Sequence, residues 1–178
     1  MPRRIAVHGT SGSGKTTLSR RLGDQLGLPV VELDALFHQA DWTPLEGEEF
    51  RRQVRALADG DGWVVDGNYS AVRDLVWDRC DLAIVLDLPR RVTTWRVLRR
   101  SVVRGLRREE LWNTNRESLV NLLSTDPERN VVLWSWRSHA KNRAELAAGA
   151  VSAGVPRVEV VRSSADASRL LAELGQTL

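Results

Sequence analysis

The run Gly9-Thr10-Ser11-Gly12-Ser13-Gly14-Lys15-Thr16 constrains this 178-residue chain more than any other feature. It matches G-x-x-x-x-G-K-[ST], a loop that carries meaning only between a strand and a helix. Arg3 to His8 is a short β-rich run, and beyond Lys15 the residues Leu18, Leu22 and Leu26 recur at helical spacing, with Gly27 as a C-cap and Pro29 past it. The flanks supply strand, loop and helix in that order. An isolated Gly/Ser-rich surface turn would need neither flank. Glycines 9, 12 and 14 permit the turns that aim successive N–H groups at phosphate oxygens, and the helix adds its positive end. Residues Gly9, Thr10, Ser11, Gly12, Ser13, Gly14, Lys15, Thr16 and Thr17 are therefore the expected ATP-binding set. Lys15 would reach the β- and γ-phosphates and the Thr16 hydroxyl would ligate Mg²⁺.

The rest of the chain alternates strands and helices. Pro29 to Leu33 predicts a second strand ending at Asp34, and Glu46 to Asp59 a charged amphipathic helix. Trp63 to Val65 predicts a third strand running into Asp66-Gly67-Asn68, and Asp81 to Leu88 a buried fourth, with Pro89 opening the next helix. Arg157 to Arg162 predicts a fifth strand, followed by a helix over Ala165 to Leu174. This order predicts an α/β fold with a parallel sheet covered on both faces. Between about Arg90 and Gly149 no strand is expected. Helices are, broken near Gly105 and around Ser124 to Pro127, and Asn130 to Trp134 reads better as helix than as strand because Trp134, Arg137, Lys141 and Ala144 share a face. With no repeat and no linker composition, residues 1–178 are expected to form one domain, with the segment at about 90–149 as a helical insert or lid.

Ligands of an open parallel sheet bind at the carboxyl ends of its strands, where Asp34, Asp66 and Asp87 stand. Spacing alone leaves open which serves a metal, which an acceptor and which merely caps a helix. Eight arginines (90, 91, 96, 99, 100, 104, 107 and 108) and no acid lie between Arg90 and Arg108. Arg96, Arg100, Arg104 and Arg107 fall on one face; Val92, Trp95, Leu98, Val102 and Leu106 lie roughly opposite and are expected to pack. A single-sign face repels itself unless an anion is present, and a triphosphate is the nearest anion; nucleic-acid phosphate and plain solvent are the rivals. Among seven tryptophans, Trp63 and Trp95 are expected in the core, whereas Trp42 and either Trp134 or Trp136 could wall an acceptor pocket. His8, His38 and His139 show no metal-ligand spacing.

Composition adds exclusions. No apolar run approaches the roughly 20 residues of a membrane span, and Ile5-Ala6-Val7 is too short for a signal peptide. With Cys80 as the one cysteine, no internal disulfide can form, so a cytoplasmic location is expected. The basic residues are 24 Arg and only two Lys, which suits phosphate binding and equally an Arg-favouring genome; Lys15 stands against that bias.

At these residues the chain resembles the nucleoside and nucleotide kinase group of P-loop proteins. The order of motifs is similar to adenylate kinase: Gly62-Trp63-Val64-Val65-Asp66-Gly67-Asn68-Tyr69 stands where that family has a strand ending Asp-Gly-Phe-Pro-Arg, and Ala83-Ile84-Val85-Leu86-Asp87-Leu88-Pro89 where it has Asp-x-Pro. Leu33-Asp34-Ala35-Leu36-Phe37 and Trp63 to Ser70 further resemble the small adenylate-kinase-like proteins called DNA topology modulation proteins. The resemblance implies a three-layer P-loop NTPase fold with a five-stranded sheet in the order 2-3-1-4-5. It implies Asp66 beside Thr16 at Mg²⁺, and Asp34 as the residue that orients or deprotonates the acceptor. Lys15, Asp34, Arg100 and Arg104 become the expected catalytic set; Asp34, Phe37, Trp42, Asn68, Tyr69 and Arg73 the expected acceptor set. Asn68-Tyr69-Ser70 replaces Phe-Pro-Arg, so the arginine that grips an acceptor phosphate is missing unless Arg73 supplies it. The implied activity is an ATP- and Mg²⁺-dependent phosphotransferase acting on a small hydroxyl- or phosphate-bearing acceptor, as a monomer or homodimer without a membrane. The alternative is an ATP-binding regulatory or DNA-binding protein with slow hydrolysis.

Overall fold

The computed structural model describes residues 2–107, 110–115, 119–126 and 130–176. Five strands form one parallel sheet in the order β2-β3-β1-β4-β5, with β1 at Arg4–Gly9, β2 at Val30–Glu32, β3 at Trp63–Asp66, β4 at Leu82–Leu86 and β5 at Val158–Val161. Among the described residues seven α-helices accompany them: α1 Lys15–Leu26, α2 Leu33–Phe37, α3 Gly47–Ala58, α4 Arg73–Trp77, α5 Arg90–Arg107, α6 Val131–Ser152 and α7 Ser164–Gly175. The alternation along the strands builds two cores. Ile5, Val7, Val64, Leu82, Ile84 and Leu86 face α1 and α7, meeting Leu18, Leu22, Leu170, Leu171 and Leu174. Ala6, Trp63, Val65 and Ala83 face the other way, against Phe50 and Val54 of α3, Leu75 to Trp77 of α4 and Ala150 of α6. Helices on both faces make the three layers the motif order implied. Because β1 lies between β3 and β4, its carboxyl end sits at the crevice where the chain changes direction across the sheet.

Most expected elements form within a residue or two of their reading, including the helix at 131–152, capped at its start by the Asn130 side chain, whose Oδ1 accepts from Val132 and Leu133 N–H. Helix α5 ends at Arg107, two residues past Gly105, near where a break is expected. One expectation fails on α5: most of its apolar row faces outward, with Trp95 63% exposed and Leu106 70%, and Val92 and Val102 exposed as well. The buried residues are Thr93, Val97 and Ser101. Small side chains win this face because α5 lies directly on the loop after β1, where a Cβ on Gly12 would stand 2.3 Å from the Thr93 carbonyl oxygen. Trp63 is buried as expected, at 1%. Arg108 of the basic run lies outside the described residues. Among the described residues no helix is long and apolar enough to cross a membrane.

Candidate functional site

The loop Gly9–Gly14 leaves β1 with Gly9, Gly12 and Gly14 all at positive φ, of which Gly12 (78°) and Gly14 (98°) lie well inside the left-handed region that favours glycine. One backbone bond, Ser13 N–H to the Thr10 carbonyl at 3.1 Å, tightens the turn. Helix α1 starts on Gly14 with no side-chain cap and no acid in its first turn, so its leading N–H groups and positive end are left for an anion. Lys15 folds back over the loop, its Nζ donating to the Thr10 carbonyl at 3.3 Å. Thr17 is exposed on the first turn of α1.

Beside the loop, β3 delivers Asp66. Pairing Val7 with Asp66 in the β1–β3 register puts this buried carboxylate level with the end of β1, where the Thr16 hydroxyl donates to its Oδ2 at 2.6 Å. Burial pushes the Asp66 carboxyl above its ordinary range; the Lys15 ammonium and the Thr16 bond pull it part of the way back. Burial likewise lowers Lys15, and the charges of Asp66 and then Asp34 oppose that shift. Three expected residues, Lys15, Asp66 and Asp34, thus share one electrostatic site. A hydroxyl and a carboxylate oxygen in contact are hard ligands that fit Mg²⁺ when phosphate oxygens complete the shell. The described residues hold no cluster of three or more His, Cys, Asp or Glu that would bind a metal alone.

The segment after β3 is tied to the loop after β1. His8 is buried; its Nδ1–H donates to the Gly67 carbonyl at 2.7 Å, and its Nε2 accepts from the Trp77 indole N–H at 2.7 Å. Those partners require the neutral ring with the proton on Nδ1, and burial lowers the pKa to about 4. Asn68, expected at the acceptor, instead turns its carboxamide to the loop. Its Oδ1 accepts from Gly9 N–H at 3.2 Å and its Nδ2 donates to the Gly9 carbonyl at 2.6 Å.

On the far side stands Asp34, in the first turn of α2. The Tyr69 hydroxyl donates to Asp34 Oδ1 at 2.7 Å, and its oxygen lies 3.4 Å from His38 Nε2. Burial and then the Asp34 charge hold the Tyr69 phenol far above its ordinary range. Phe37 packs its ring against Phe50, Tyr69 and His38. Trp42 sits edge-on to His38 at 5.3 Å. The second tryptophan beside His38 is Trp112, near-parallel at 6.3 Å with its indole N–H donating to Glu32. Trp134 and Trp136 lie on α6 instead, exposed, with Arg90 stacked on Trp136 at 3.8 Å. Trp112 escaped the sequence reading because it lies 70 residues from Trp42 in a stretch without periodicity. The signal in the sequence is weak: one kinked turn sets Trp42 between Asp41 and Thr43, and the other sets Trp112 before Asn113 and Thr114. These turns clasp: Asn115 Oδ1 accepts from Trp42 N–H, and Asn113 Nδ2 donates to the His38 carbonyl.

Of the arginines, Arg100 Nη2 lies 3.4 Å from Ser11 Oγ, and Arg96 approaches Gly14. Arg96, Arg99, Arg100, Val103 and Arg104 line an open groove of about 410 Å³. Arg73 lies over Trp77, 3.5 Å from the Asn68 carbonyl. A second hollow of about 700 Å³ opens at the ends of β4 and β5 under α6 and meets the loop only at Thr10. There Asp87 pairs with Arg143 at 2.5 Å and Arg162 at 3.6 Å, so this strand-end acid anchors α6 and lies apart from Thr16 and Asp66.

The chain is similar to known proteins in sequence and in fold. The cytidylate kinase of Pyrococcus horikoshii is 31% identical over 147 residues, covering 68% of this chain and 72% of that protein. The chain belongs to the P-loop nucleoside and nucleotide kinase group. A putative adenylate kinase of Pyrococcus furiosus is 28% identical over 138 residues, 72% of each chain. A bifunctional pantoate ligase/cytidylate kinase of Gloeobacter violaceus is 35% identical over 60 residues, of which this chain spans 12% of the length. No family model matches. Two solved structures share the fold: a shikimate kinase from Bacteroides thetaiotaomicron (TM-score 0.56, 15% identity, 99% of this chain and 98% of that one) and a gluconokinase from Sinorhizobium meliloti (0.55, 18%, 99% and 95%). Within this P-loop kinase group the chain departs at Asn68-Tyr69-Ser70, and the structure shows what the departure does locally: Asn68 holds the phosphate loop and Tyr69 holds Asp34.

Proposed function

We propose that the chain transfers the terminal phosphoryl group of Mg²⁺-bound ATP to a small-molecule acceptor. The observation that carries this reading is the convergence of Lys15, the Thr16–Asp66 pair and Asp34 at the carboxyl ends of β1 to β3. The loop amides and Lys15 bind the donor phosphates, and Thr16 with Asp66 would hold Mg²⁺, which when bound shields phosphate charge. Asp34 carries one oxygen bonded to Tyr69 and leaves the other to orient an acceptor hydroxyl and take up its proton. Arg100 and Arg104 line the groove over the loop and neutralise charge that grows as the phosphoryl group moves, with the α5 to α6 segment as a lid that excludes water. Phe37 and Trp42 shape the acceptor side. Arg73, half-buried and paired with no carboxylate among the described residues, is placed to meet an anionic group on the acceptor.

Incubation with γ-labelled ATP and a panel of nucleoside monophosphates, nucleosides, sugars and hydroxy acids tests the proposal. A labelled product other than inorganic phosphate is expected, and its loss in Lys15→Ala. Inorganic phosphate alone across the panel would refute transfer. One observation favours a second reading: Trp95, 63% exposed, lies on α5 among outward arginines, a surface that suits nucleic acid. DNA affinity falling steeply with salt would support it.

A further inference from the structure

Four consecutive residues, Asp66 to Tyr69, each reach a different part of the site. Asp66 accepts from Thr16 on α1; the Gly67 carbonyl accepts from His8 on β1; Asn68 pairs with both backbone groups of Gly9; Tyr69 donates to Asp34 on α2. Gly67 also has no room for a side chain, since a Cβ would stand 2.8 Å from Leu33, the residue that leads into Asp34. The Asn68 carboxamide does here what a peptide group does in a parallel ladder: it offers an acceptor and a donor to the neighbouring chain just beyond the last β1–β3 pair, Val7 with Asp66. Because side chains alternate along an extended segment, Asn68 points to the phosphate loop and Tyr69 to the acceptor side.

We propose that residues 66–69 act as one rigid spacer that fixes the phosphate loop against Asp34, with Asn68 and Tyr69 as positioning residues. This rests on the kinase reading and adds a division of labour to it. Asn68 sets the donor loop, Tyr69 aims the acceptor carboxylate, and one peptide bond joins the two settings. A displacement of about 1 Å between donor and acceptor is enough to cost roughly a hundredfold in rate, so the spacer acts on turnover more than on the fold.

The test uses the full chain with Mg²⁺-ATP. Asn68→Leu keeps the branched outline and removes both hydrogen bonds; Asn68→Ser is the second variant should the bulkier Leu not fold. Either is expected to weaken Mg²⁺-ATP binding about tenfold by calorimetry and to speed amide hydrogen exchange in a peptide covering residues 9–14 of the ligand-free chain. Tyr69→Phe is expected to leave both within twofold while lowering maximal ATP turnover about tenfold. Wild-type affinity and exchange in the Asn68 variants, or a Tyr69→Phe variant that loses affinity as much as turnover, would overturn the spacer alone. A wild-type chain that fails to bind Mg²⁺-ATP would overturn the kinase reading first and the spacer with it.

Discussion

Gly12→Ala isolates the contact on which the site's closure depends. Gly12 has φ +78°, and an added Cβ would meet the Thr93 carbonyl oxygen at 2.3 Å and Val97 Cγ2 at 2.8 Å. Gly27, the C-cap of α1, has a similar φ of +64° with nothing within 4 Å of its Cβ position. Alanine at either position takes on the left-handed conformation, at about 1–2 kcal/mol, and restricts the unfolded chain equally. Those contributions cancel in the difference. What remains at Gly12 is overpacking, about 1–3 kcal/mol, or about 2–12 °C of melting temperature for a chain of this size. The nearest clashing atom is main chain, so trimming Val97 to Ala will not rescue it; α5 must move off the loop, taking Arg96 and Arg100 with it. Thermal unfolding of both variants, with calorimetric titration of Mg²⁺-ATP, decides the matter. Gly12→Ala should melt lower than Gly27→Ala and lose nucleotide affinity that Gly27→Ala keeps. Equal melting temperatures and equal affinities would refute the packing of α5 on the loop.

Three further outcomes follow from the same geometry. His8, held neutral with a pKa of about 4 against an ordinary value near 6.5, binds its proton more readily in the unfolded chain, so its contribution to stability is fully present above pH 6.5 and is lost as pH falls towards 4. Denaturant titrations at pH 7 and pH 5 should differ by about 2 kcal/mol more for wild type than for His8→Gln, and identical differences would show that His8 does not stay neutral. Lys15→Met removes a cation that burial already disfavours, so the ligand-free chain should be at least as stable as wild type while Mg²⁺-ATP binding disappears; a destabilised variant would place the ammonium in a structural role. Asp34→Asn should lower transfer by about 10² to 10⁴ with Mg²⁺-ATP affinity unchanged, and an affinity loss matching the rate loss would move Asp34 to the donor side.

How far the sequence could be read follows from how each part is encoded. The strands were legible as short apolar runs, buried at every residue in β3 and β4, and α1, α3 and α7 because their burial is periodic, with Gly27 as the C-cap of α1. The phosphate loop was legible because its function lies in the backbone, so its glycines have to appear in the sequence itself. Trp95 and the apolar row of α5 misled because amphipathicity states that one face is apolar, not which face meets protein; a glycine on the partner, Gly12, selected the small residues Thr93, Val97 and Ser101 instead. The acceptor side was the least legible, since Trp42 and Trp112 come together through two kinked turns far apart in the chain.

Asn68 and Tyr69 are more instructive. Both belong to the expected acceptor set, and both mark the departure from Phe-Pro-Arg, which implies only the loss of an arginine that grips an acceptor phosphate. Yet a side chain's partner is decided by strand register, and a parity of two along the extended segment sends neighbours to opposite sites. With Val7 opposite Asp66, the residue two places on from Asp66 falls level with Gly9 and the next one falls away from it. A departure from a family motif beside a parallel strand should therefore be placed in register before it is read as a change of substrate. Here the register hands Asn68 to the phosphate loop and leaves Tyr69 to Asp34.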